Sequence, residues 1–101
     1  MPIWQATMDS VFYDETPANE HEECNVRIDN SHIEVTYEDE EGNLVLYAGS
    51  DEGNGHFTLE CQLLNARATL HQIPNSRVLE GYWVEQGARG FWKITLANEP
   101  K

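Results

Sequence analysis

The 101 residues are 40% apolar and 10% aromatic, enough for one domain with an unstapled core and too many to leave the chain disordered. A net charge of −12 excludes a surface that attracts phosphate backbones, and no apolar run approaches a bilayer's thickness. Neither nucleic acid nor membrane is therefore an expected direct partner. The opening MPIWQATMDS has no basic start and no apolar stretch, so a cytoplasmic location is the default, with Cys24 and Cys61 as thiols.

Apolar and polar residues alternate almost throughout, which predicts eight strands near 2–12, 23–29, 32–38, 43–49, 55–63, 66–73, 77–84 and 89–97. In the first, Trp4, Ala6, Met8 and Phe12 share a face. The segment 14–23, DETPANEHEE, contains Pro17 and no apolar stripe, and reads as a loop. Cys24, Val26 and Ile28 form the inner face of the second strand, opposite Tyr37, Val35 and Ile33 of the third. Even-length loops then put Leu44, Leu46 and Ala48 inward in the fourth strand, with Val45 and Tyr47 outside. Phe57, Leu59, Cys61 and Leu63 continue that face in the fifth. Turn signals separate the runs at DNS (29–31), EEGN (40–43), DEGNG (51–55), IPNS (73–76) and EQGA (85–88).

The last hairpin is the most informative. A turn centred on Gln86-Gly87 sets Leu79 opposite Ile94, Gly81 opposite Trp92 and Trp83 opposite Gly90, with Glu80 facing Lys93 on the other side. Turns at Pro74-Asn75 and Leu64-Asn65 extend these rows to Leu59–Leu70–Leu79–Ile94, Cys61–Ala68–Gly81–Trp92 and Leu63–Ala66–Trp83–Gly90. Each of the last two rows sets one indole among small residues, the volume alternation a narrow closed interior requires. The predicted class is all-β, an eight-stranded antiparallel up-and-down barrel, with a bent open sheet or a two-sheet sandwich as alternatives. This pattern of Trp83 and Trp92 among Gly81, Gly90 and alanines in a continuous meander resembles the calycin-type barrels of avidins and lipocalins. The resemblance is one of architecture; it implies a closed container and assigns no ligand residue.

Charge is unevenly placed: residues 1–60 hold 15 acids against Arg27 alone, and residues 61–101 hold three acids against five bases. Alternate loops of a meander emerge together, so Glu22, Glu23, Glu38, Asp39, Glu40 and Glu41 form an expected acid rim, a docking surface for a basic protein segment. Inside, Trp83, Trp92, Tyr37 and Phe57 are candidate walls for a small ligand. Gln72 and Arg77 are candidate polar contacts near the other end. EDEEGN lacks the ligand alternation of a calcium loop, and HEEC has no second metal-binding pair, so no metal and no cofactor is expected. No nucleophile, phosphate loop or perturbed acid pair supports catalysis. The expected function is non-catalytic binding of a small ligand or a protein partner. The alternative is an acidic decoy that docks on a basic, nucleic-acid-binding protein surface.

Overall fold

The alternation produces strands throughout the computed structural model, which describes residues 3–29 and 31–97. Pro2, Asn30 in the predicted DNS turn, and Glu99 and Lys101 of the charge count lie outside these residues. Eight strands follow in chain order: β1 (Ile3–Phe12), β2 (Asn19–Ile28), β3 (His32–Glu38), β4 (Leu44–Gly53), β5 (His56–Cys61), β6 (Ala66–Gln72), β7 (Val78–Glu85) and β8 (Ala88–Leu96). Each pairs antiparallel with the next, and β8 returns to β1 from Ala6–Leu96 to Phe12–Gly90. The meander is thus a closed barrel without a free sheet edge at its seam. Among the described residues no helix is long and apolar enough to cross a membrane.

Two hairpin turns fix much of the geometry. Asn54-Gly55 and Gln86-Gly87 both have positive φ at the two central residues, the signature of the tight turn whose twist matches paired strands. The β7–β8 register is the expected one: Leu79–Ile94, Gly81–Trp92, Trp83–Gly90 and Glu80–Lys93. The β2–β3 register also agrees, with Val26 opposite Val35 and Ile28 opposite Ile33. Trp83 and Trp92 are both inside, each 3% exposed. Around them Met8, Ile33, Val35, Leu59, Leu70, Leu79 and Ile94 fill the core.

Four expectations are corrected. First, β4 has the opposite facing: Tyr47 is 1% exposed and Val45 is buried, whereas Leu44 and Leu46 are 66% and 44% exposed. Two features cause this: the β3–β4 turn spans the odd-length stretch 39–43, which pairs Val35 with Tyr47 and Tyr37 with Val45, and the register shift between Asp51 and Gly53 adds one residue to β4 against β5. Secondly, the β5–β6 pairing is slipped by two residues, with Leu59 opposite Ala68 and Cys61 opposite Ala66, and Leu63 is exposed in a four-residue loop. Thirdly, β6–β7 is slipped by two as well, so Ala68 rather than Ala66 faces Trp83. Fourthly, β2 begins at Asn19, inside the segment that reads as a loop.

The glycines also divide by role. A Cβ at Gly90 would collide with the Val11 carbonyl oxygen and lie 2.5 Å from Cζ2 of Trp83, so this glycine makes room for an indole as well as for the β1 backbone. At Gly81 a Cβ would collide with the carbonyl oxygen of Thr69, and at Gly49 with that of Thr58. Those two positions admit the neighbouring strand's backbone instead, which lets β6 and β5 press close as the wall coils.

Candidate functional site

The turns after β1, β3, β5 and β7 emerge at one end, and a cavity of about 120 Å³ opens there. Its walls are aromatic: Phe12, Tyr37, Tyr47, Trp83 and Trp92. Phe12 stands edge-on to Trp83 at 5.1 Å between ring centres, and Tyr47 and Tyr37 stand edge-on to Trp92 at 4.8 and 6.5 Å. Edge-to-face contact of this kind locks ring orientation. Four carboxylates, Glu22, Asp39, Glu40 and Glu85, complete the lining, and no lysine or arginine is among its described residues.

Local structure explains how the acids reach this place. Between Met8 and Ser10 the β1–β2 register shifts, giving β2 one extra residue, and His21 takes a positive φ of 57°. The His21 backbone N–H donates to Oδ1 of Asp9 at 2.8 Å, which pins the bulge. Glu22 sits opposite Met8 and Asn19 opposite Ser10, so both line the cavity although they are three residues apart. In the β3–β4 turn, Oδ1 of Asp39 accepts from the N–H groups of Glu41 and Asn43, each at 2.9 Å. Glu85 ends β7 and accepts from the Tyr47 hydroxyl at 3.4 Å.

The electrostatics follow from this crowding. Burial, and then the charge of Glu85, hold the Tyr37 and Tyr47 phenols well above their ordinary value. Burial pushes the Cys24 thiol up to about 12, with Glu22 adding to it. The smaller, charge-derived share of these shifts, from Glu85 and Glu22, is a negative potential that favours a cation, whereas the burial share opposes any ion. Flat π faces add to that attraction. The indole N–H of Trp83 is buried and has no acceptor within the described protein.

The expected site residues are thus split. Trp83, Trp92 and Tyr37 line the mouth, as do Glu22, Asp39 and Glu40. Phe57 is buried at the other end. There the side-chain amide of Gln72 donates to the Ser76 carbonyl at 2.9 Å, and Arg77 Nη1 donates to the Leu96 carbonyl at 3.2 Å. Both polar groups are spent on closing the barrel. Glu23 and Glu38 line a second cleft outside the mouth, and Glu41 is exposed in its turn. Tyr47, Ser10 and Asn19 are the lining residues that the sequence pattern does not place at the mouth. The Asn-Gly turn at 54–55 after Gly53 was the available signal for Tyr47, since a tight turn beside a glycine suggests a bulge.

Elsewhere, His56 Nδ1 and His71 Nε2 lie 2.6 Å apart on the outer face. Among the described residues no group of three or more histidines, cysteines or acids is arranged to hold a metal ion. Cys24 and Cys61 are buried free thiols. Compared with known proteins, the chain matches no family model, no curated protein and no solved structure.

Proposed function

We propose that this chain is a non-catalytic binding protein of calycin-like build that holds an organic cation in its acidic, aromatic mouth. One observation carries the reading: five aromatic rings and four carboxylates surround a single small cavity with no described basic side chain among them. Aromatic rings supply cation–π attraction, about 0.5–2 kcal/mol for each well-placed face, and the carboxylates supply long-range pull. The free, buried thiols of Cys24 and Cys61 support a reducing, cytoplasmic setting. The acidic-decoy reading draws instead on Glu23, Glu38 and Glu41, which are exposed beyond the mouth. It requires those outer charges and not the rings.

Tetramethylammonium is the simplest probe, and tryptophan fluorescence is the readout. A saturable change is expected with a Kd of roughly 10 µM to 1 mM, the range open to so small a ligand. Glu85→Gln should weaken it about tenfold, while Glu41→Gln should leave it unchanged. A flat titration, or equal binding by Glu85→Gln, would defeat the reading.

A further inference from the structure

The barrel wall is not continuous beside the mouth. The β2–β3 ladder runs from Ile28–Ile33 to Asn25–Thr36 and ends there. Yet β2 continues against β1 to Asn19, and β3 continues against β4 to Glu38. Beyond Asn25 each strand therefore has one neighbour, and their facing edges part. A cleft of about 510 Å³ occupies the gap. It is lined by the exposed Glu23 and Glu38 and by Cys24, and it shares Glu22, Tyr37 and Asp39 with the mouth. The cleft is a slot where the wall parts, and the three shared residues place it beside the aromatic cavity.

Resting on the reading of the mouth, we propose that its cation is a lysine or arginine side chain, carried on an extended basic segment of a partner protein that lies in this slot along β2. Three physical points converge. Along 19–24 β2 offers main-chain groups to a strand that no element of the barrel supplies among the described residues, the requirement for strand addition. The acids on both sides of the slot complement a basic chain and oppose an acidic one. They also oppose a second copy of this chain, because the same edge would then set Glu22 and Glu23 against like charges. Finally, a mouth of about 120 Å³ suits the end of a side chain, while the slot gives its backbone a way in from the side.

The test uses the peptide acetyl-Ala-Lys-Ala-Lys-Ala-Lys-Ala-amide beside tetramethylammonium, both followed by calorimetry and by tryptophan fluorescence. The peptide should displace tetramethylammonium and bind at least about tenfold more tightly, since two sites are engaged at once. Glu23 and Glu38 line the slot and not the mouth. The double variant Glu23→Lys/Glu38→Lys should therefore lose about tenfold for the peptide and nothing for tetramethylammonium. The same peptide N-methylated at alternate residues keeps its charge but cannot pair with a strand edge, and should lose about tenfold as well. Amide exchange over residues 19–24 should slow with the unmodified peptide alone. Equal binding of the N-methylated peptide, or an unaffected double variant, overturns the slot while leaving the mouth intact. Failure of tetramethylammonium to bind removes the mouth and this inference together.

Discussion

The two ends of the barrel are made of similar materials and use them differently. At the end formed by residues 54–55 and 73–77, polar groups are turned on the protein's own backbone. Gln72 and Arg77 reach the Ser76 and Leu96 carbonyls, and the Gln72 N–H donates to the Gly55 carbonyl at 2.7 Å. At the end formed by residues 39–43 and 86–87, Glu22, Glu40 and Glu85 face a cavity. A satisfied polar group stabilises a fold, whereas a carboxylate aimed at a cavity is useful only toward something that comes from outside. The contrast separates scaffold from site more clearly than composition does.

The largest effect that tests this contrast belongs to Gly90→Val at the open end. The new side chain would drive into the Trp83 ring and the Val11 carbonyl, and the expected loss is about 3 kcal/mol or more in urea denaturation. Near-native stability would mean that the rings around the mouth are loosely held. High pH comes next. Tyr37, Tyr47 and Cys24 are kept neutral in the fold, so the unfolded chain gives up their protons first. The stability they contribute is whole below about pH 9 and is lost as pH rises, for Cys24 across the window from 9.0 to about 12. Melting temperature should fall steadily through that window, and Cys24→Val should make the fall shallower. An unchanged slope would show that the thiol is not held neutral by burial. The smallest effect is expected at the closed end, where Arg77→Ala removes one part-buried hydrogen bond to backbone, about 0.5–1 kcal/mol. Tetramethylammonium binding should not change. If it did, the two ends would be coupled and the division between them would fail.

The architecture was legible in the sequence wherever a turn signal and a periodic run agreed. Gln86-Gly87 fixed the β7–β8 register, and Val26 and Ile28 against Val35 and Ile33 fixed that of β2–β3, though the expected Cys24–Tyr37 pair does not form because the strands part beyond Asn25. Slips of two residues in β5–β6 and β6–β7 keep every side chain on its own face, so a pattern of apolar residues carries no trace of them. The β4 error has another origin. Leu44-Val45-Leu46-Tyr47 is apolar on both faces, and the odd-length turn at 39–43 and the bulge before Asn54-Gly55 decide between them. The start of β2 was hidden for a functional reason. Asn19, Glu22 and their neighbours are polar on the inner as well as the outer face, since the inside there is the acidic mouth. A strand that builds a polar site lacks the amphipathic mark by which strands are recognised.

Gly49 and Gly81 carry a consequence for how this molecule could change. What a larger residue would strike at either position is a main-chain carbonyl, which every amino acid shares. No compensating replacement elsewhere can relieve such a clash, so genetic suppressors of changes at these codons should not exist. Divergence toward a new occupant is thereby channelled into the loops and the lining side chains, with Gly49 and Gly81 among the fixed points in the wall behind them.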